Sequence, residues 1–330
     1  MRSRGGTGKR SERIMRVLFW GTPEFAAPPL RALLGEGFDV VGVVTQPDRP
    51  QGRSRSSLVP SPIKQIALEE SIPVFQPERP RGDDFVQSLQ SLTPDVSVVV
   101  AYGEILTREV IDLPRLGTLN IHASLLPEWR GAAPIQAAIR AGQTETGVTI
   151  MRMVVPLDAG PILLQVPTPI TNDETYGELQ LRLSELGALA LIEALSLLDI
   201  GQITERPQDE SLATFAPKIE RDDARIDWRH PASAIAASVR AYDPKPGAFT
   251  TLNGVEIKLF GARAATLDIT DGKPFPPGGT VLAIDDAGVL VACGDGVVRV
   301  SDGQFAGKRR LRLGELARGR SIRVGDQFGA

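Results

Sequence analysis

The chain has few of the residues that carry metal and redox chemistry. Its 330 residues include one cysteine and two histidines. A lone Cys293 excludes an internal disulfide framework and a thiolate zinc cluster, and suits a reducing cytoplasm or a protein indifferent to redox. His122 and His230 are too few for a histidine-rich metal site, and no Asp/Glu spacing resembles a calcium loop. No apolar run reaches the roughly 18 residues that would span a bilayer. The formal net charge of -3 argues against a uniformly basic nucleic-acid binder. Three motifs are also missing: G-x-G-x-x-G, G-x-x-x-x-G-K-[ST] and G-x-S-x-G. Nicotinamide, ATP and a Ser-His-Asp hydrolase thereby lose their usual warrant.

What is present is an alternation. From Met15, short β-rich runs ("MRVLFWG", "DVVGVVTQ", "PVFQP", "DVSVVVAYG", "GTLNIHAS") exchange with helical stretches ("EFAAPPLRALLGEG", "IKQIALEE", "DFVQSLQSL", "ILTREVID", "PIQAAIRAG"). Strands this uniformly apolar indicate an α/β fold with a Rossmann-like, mostly parallel sheet and helices on both faces. Ligands in such sheets sit beyond the carboxyl ends of the strands. The strands "GVTIMRMVV" and "ILLQVPTPI" and the helical run "ETYGELQLRLSELGALALIEALSLL" complete this region over 15–201. A polar, proline-containing linker is expected over 202–222. Beyond it, over 223–330, short strands separated by hairpin turns at "LNGV" and "DDAG" predict a small C-terminal β-barrel, OB-like, of a kind that binds oligonucleotides. Residues 1–14, basic and without an apolar signal core, are expected to be a disordered extension.

Within the stretch "GTLNIHASLLPEWRGAAP", Asn120 and His122 are two apart on a strand, so both leave the same face. An amide donor and an imidazole together could hold a developing oxyanion and handle a proton; a hydrogen-bonded core pair is the structural alternative. Asp158, in "VVPLDAGPIL", follows an apolar strand, where in a parallel sheet it would reach a neighbouring strand's histidine. There it would favour the charged imidazolium, unless it merely initiates the turn. Arg49, Arg53 and Arg55 crowd the loop after the second strand. Lys308, Arg309, Arg310, Arg312, Arg318, Arg320 and Arg323 make 301–330 basic against three acidic residues. Both segments suit phosphate contacts or solvated surface.

The blocks "NIHASLLPEWRGAAPIQ" and "LDAGPIL" resemble the active-site motifs of the 10-formyltetrahydrofolate-dependent formyltransferases. "FWGTPEFAAPPLRALL", "VVTQPDRPQGR", "VVVAYGEIL", "ARIDW" and "AGKRRL" extend the resemblance over about residues 15–320. The "WRGAAPIQ" portion is similar to the branch that acts on tRNA. The resemblance implies that Asn120, His122 and Asp158 are catalytic, and that Ser124, Leu125, Leu126 and Pro127 with Val100, Ala101, Tyr102 and Gly103 line the folate site. It also implies that Arg53 and Lys218 lie near tRNA. Lys308 and Arg309, in the basic segment, are expected to join them. The chain departs from the family in "DPKPGAF", where Lys245 replaces an aromatic.

The activity so implied is formyl transfer from 10-formyltetrahydrofolate to the α-amino group of methionine on initiator tRNA. A monomeric, cytoplasmic protein that needs no metal and touches no membrane is expected. The alternatives are formyl transfer to an amino-sugar nucleotide, a 10-formyltetrahydrofolate hydrolase and a non-catalytic RNA-binding protein.

Overall fold

The computed structural model describes residues 14–51, 57–266, 274–319 and 321–329. The chain packs as two compact units interleaved along the sequence. One runs through His122 and takes in Thr149–Gln165 and Ser184–Gln208; the other takes in Ala123–Val148, Val166–Leu183 and Asp209 onward. Residues 1–13 and Arg53 lie outside the described residues.

In the first unit, β1 (Arg16–Gly21) leads through a 3-10 turn into α1 (Ala27–Gly35). Pro28 and Pro29 sit in the first helical turn, where a missing N–H breaks no helical bond. There follow β2 (Asp39–Val44), the antiparallel pair β3 (Arg49–Gln51) and β4 (Ser57–Val59), and α2 (Pro62–Glu69). Ser61 caps α2, its Oγ accepting from Lys64 N at 3.1 Å. The chain continues through β5 (Val74–Phe75), α3 (Asp83–Ser91), β6 (Val96–Val100), α4 (Arg108–Ile111) and β7 (Thr118–His122). Helix α4 is shorter than the sequence periodicity predicts: Thr107 is extended at φ -73° and ψ 157°, and the helix begins only after it.

After β7 come β8 (Arg130–Gly131), α5 (Pro134–Arg140), β9 (Glu145–Arg152), β10 (Ile162–Pro169) and the long helix α6 (Tyr176–Asp199). Among the described residues the main sheet has seven strands in the order β10-β9-β7-β6-β1-β2-β5. The β2–β5, β1–β2, β1–β6 and β6–β7 pairs are parallel, whereas β7–β9 is antiparallel. The chain leaves β1 toward β2 and later returns to its other side with β6. This reversal opens a crevice at the carboxyl ends of the strands. Beneath it, Leu18, Trp20, Val44, Val99 and Tyr102 belong to one apolar cluster.

In the second unit, β11 (Phe215–Ala216) pairs in parallel with β8. Then come α7 (Ala232–Ala241), β12 (Ala248–Leu252), β13 (Val255–Ala265), β14 (Val281–Asp285), β15 (Gly288–Ala292), β16 (Val297–Phe305), β17 (Leu311–Arg312) and α8 (Leu313–Arg318). The strands form an antiparallel sheet in the order β12-β13-β16-β15-β14, with β17 added on β16. Asn253 and Gly254, at φ +50° and +74°, make the β12–β13 turn, as their residue types predict. Residues 326–329 bridge the two ends of this strand order. Phe328 N donates to Gly279 O and Gly329 N donates to Thr251 O, both at 2.9 Å. Trp228 stacks on Phe328 with ring centroids 5.6 Å apart, so the same segment also fills the core.

Candidate active site

Strand β7 lies between β6 and β9 in the sheet, with Asn120 in register with Val99 of β6 and Met151 of β9. Strand alternation turns the Asn120 and His122 side chains to one face. A histidine buried in the middle of an apolar sheet is costly unless its polar atoms are engaged. Here His122 Nδ1 lies 3.7 Å from Asp158 Oδ2, and the two side chains are 6% and 11% exposed. That separation is an ion-pair distance, longer than a direct hydrogen bond, in a setting where water screens little.

Asp158 arrives by a route the sequence does not announce. Strand β9 runs antiparallel to β7, so its last residue, Arg152, lies opposite Leu119 while His122 faces Thr149. The expected approach along a parallel neighbour is therefore replaced by a turn that doubles back between β9 and β10. Asp158 sits there at φ +50°, a left-handed conformation that aspartate tolerates better than most residues. Gly160 passes so close to the strand that a Cβ would stand 1.8 Å from the Arg152 carbonyl oxygen. No other residue type fits that position without moving the turn.

The loop after β6 turns through Ala101 at φ +48° and Gly103 at φ +91°. Its Tyr102 carbonyl accepts from Thr22 Oγ1 at 3.1 Å and from Gln46 Nε2 at 3.0 Å. The Tyr102 ring points down into the core, edge-on to Trp20 at 5.3 Å, and burial, with Glu104 nearby, pushes its phenol up to about 12. Val100 is buried, while Ala101 and Gly103 are exposed, so this loop offers main chain and small residues rather than an aromatic face.

Ser124, Leu125, Leu126 and Pro127 fall in the second unit. Ser124 Oγ donates to Glu128 O at 2.5 Å, Leu126 is buried, and Leu125 and Pro127 are half-buried. The next residues hold down the stretch expected to be a linker. Arg130 makes a two-pronged pair with Glu210 at 2.8 Å on each prong, and Trp129 N donates to Thr214 Oγ1 at 2.9 Å. Lys218, Lys245, Lys308 and Arg309 are exposed. Arg310, by contrast, pairs with Asp243 and Asp302 at 2.9 Å and covers the Phe260 ring.

Residues without any sequence signal complete the first unit's site. Gln208 donates to the carbonyls of Asp158 and Gly160. Gln165 donates to Thr149 Oγ1, and Arg206 donates to Gln165 Oε1, each at 3.2 Å. Among the described residues, no group of three or more His, Cys, Asp or Glu is placed to hold a metal ion. The site thus offers amide, imidazole and carboxylate groups for proton and oxyanion chemistry.

A family model described as formyl transferase matches residues 15–195, and one described as formyl transferase, C-terminal domain, matches residues 218–321. The chain belongs to the formyl transferase family. Methionyl-tRNA formyltransferase from Pseudomonas fluorescens (strain SBW25) is 50% identical to it over 92% of this chain and 93% of its own. That from Aromatoleum aromaticum is 49% identical over 96% and 98%. Two solved structures share the formyl transferase fold. HypX from Aquifex aeolicus with tetrahydrofolic acid matches at TM-score 0.63 and 21% identity, over 94% of this chain and 48% of its own. An N-formyltransferase from Helicobacter canadensis with folinic acid and dTDP-3-aminofucose matches at 0.63 and 15%, over 91% and 100%.

Proposed function

We infer that the protein transfers the formyl group of 10-formyltetrahydrofolate to the α-amino group of methionine on initiator tRNA. The observation that carries this is near-half identity to methionyl-tRNA formyltransferases along almost the full length of both chains. The neighbour solved with dTDP-3-aminofucose shares the fold at 15% identity and gives no comparable support for a sugar acceptor.

In the reaction, the neutral amine attacks the formyl carbon and the carbonyl electron pair moves onto oxygen. The tetrahedral oxyanion then collapses, breaking the bond from carbon to the folate N10. One proton leaves the amine nitrogen and one reaches N10, so the protons balance. Asn120 donates its amide N–H to the oxyanion, and His122 donates an imidazole N–H beside it. Asp158 orients the imidazole. Val100, Ala101, Tyr102 and Gly103, with Ser124, Leu125, Leu126 and Pro127, receive the folate. Arg53, Lys218, Lys308 and Arg309 meet tRNA phosphates. The protein acts as a monomer in the cytoplasm, where charged tRNA is its substrate.

The test is incubation with 10-formyltetrahydrofolate and methionyl-tRNA, followed by detection of formylmethionine. Formylation of the tRNA-bound methionine is expected. Formate release without an amine, or formylation of an amino-sugar nucleotide in preference to the tRNA, would replace this reading.

A further inference from the structure

The turn that presents Asp158 is held by a residue from a distant part of the chain. Gln208 Nε2 lies 2.8 Å from the carbonyl oxygen of Asp158 and 2.7 Å from that of Gly160. With carbonyl oxygens as both partners, the amide nitrogen must face them, because the amide oxygen has no proton to give.

The strap that carries Gln208 is itself in register with the sheet. Arg206 and Ile162 exchange backbone hydrogen bonds, at 2.8 Å from Ile162 N to Arg206 O and 2.9 Å in the other direction. The Arg206 side chain reaches Gln165, and Gln165 reaches Thr149, the residue opposite His122 on the neighbouring strand. Residues 206–208 thus touch what lies behind each half of the acid–imidazole pair. Arg206 connects to the His122 side and Gln208 to the Asp158 side.

Local geometry makes this support consequential. Asp158 is held at φ +50°, and at Gly160 the chain has no room to shift toward Arg152. Aspartate accepts this conformation, so the position of the turn is set by the contacts around it. The 3.7 Å between carboxylate and imidazole is already long, so a small rotation of this turn would part the pair.

We propose that Gln208 is a positioning residue for formyl transfer, its carboxamide clamping the 158–160 turn so that the Asp158 carboxylate meets His122. The proposal rests on the reading of Asp158 as a working residue of the site. Gln208 acts through that turn and not on substrate.

The test compares full-length wild type with Gln208→Met, Gln208→Lys, Asp158→Asn and the double variant Asp158→Asn/Gln208→Met. Steady-state formylation of methionyl-tRNA and the thermal midpoint are measured for each. Methionine matches glutamine in length and donates nothing, so kcat should fall about tenfold to a hundredfold, the loss typical of a reacting group displaced by about 1 Å. KM for both substrates should stay within about twofold, because a group acting only in the transition state leaves ground-state binding alone. The Gln208→Lys ammonium can still donate to both carbonyls, so this variant should keep more kcat than Gln208→Met, the reverse of the order that packing alone would give. In the Asp158→Asn background, Gln208→Met should cause little further loss, as coupled residues do. Wild-type kcat in Gln208→Met, or equal kcat in the two Gln208 single variants, would overturn the positioning role. Wild-type kcat in Asp158→Asn would instead overturn the underlying reading of Asp158, and the positioning role with it.

Discussion

His122 Nδ1 stands 3.7 Å from Asp158 Oδ2 even though the strand preceding Asp158 ends beside Leu119. The turn over 153–161 closes that gap, so the proposed acid–imidazole pair depends on a connection rather than on adjacent strand ends. Asn120, on the same face of the same strand as His122, completes the set.

Asn120→Ala removes the proposed oxyanion donor and leaves the strand intact. Turnover should fall about a hundredfold to a thousandfold. Folate affinity should hardly change, since the proposed role of Asn120 is to hold charge that develops only in the transition state. A formylation assay paired with equilibrium binding of a folate checks both, and normal turnover would remove Asn120 from the mechanism.

Gly160→Ala places a methyl group 1.8 Å from the Arg152 carbonyl oxygen, which the turn can relieve only by moving. Stability should drop by about 1–3 kcal/mol, the usual result of overpacking. Activity should drop more than stability implies, because the displaced turn carries Asp158. Denaturant unfolding and initial rates, measured on the same preparation well below the unfolding transition, separate the two effects.

Tyr102 and Cys293 predict how the fold responds to alkali. Burial pushes the Tyr102 phenol up from 10.0 to about 12 and the Cys293 thiol up from 9.0 to about 11. Both groups ionise more readily in the unfolded chain. Their contributions are therefore fully present below about pH 9 and are lost as pH rises, across about 9–11 for Cys293 and about 10–12 for Tyr102. The Tyr102 hydroxyl makes no hydrogen bond among the described residues. Tyr102→Phe should thus keep or slightly raise the thermal midpoint at neutral pH and flatten its decline between pH 10 and 12. A decline identical to that of wild type would show that Tyr102 is not its source.

Lys308 and Arg309 are exposed, whereas Arg310 is tied to Asp243 and Asp302. Replacing Lys308 and Arg309 by alanine should raise KM for tRNA and leave KM for the folate unchanged. The slope of log affinity against log salt should flatten by about 1 for each phosphate that the protein no longer neutralises. Arg310→Ala should act differently, lowering stability by depriving Asp243, which is 8% exposed, of its cation. A tRNA KM unmoved by the double substitution would place the phosphate-binding surface elsewhere.

Periodicity and residue type by themselves determined the alternating elements, the apolar core strands and the Asn253-Gly254 hairpin. These follow from local rules: a side chain's face is set by its strand position, and Asn-Gly accepts positive φ without help from elsewhere. The same rules put Asn120 and His122 on one face. The direction of β9, the doubling back of the Asp158 turn and the glycine-sized gap at Gly160 were decided only by the tertiary structure. So was the use of Gln208, which lies in a stretch whose polarity predicts a linker. Local sequence does not encode which strand a chain returns to, and a glutamine with two distant carbonyl partners reads no differently from one in solvent. Its role appears only when packing brings residues fifty positions apart into hydrogen-bond range.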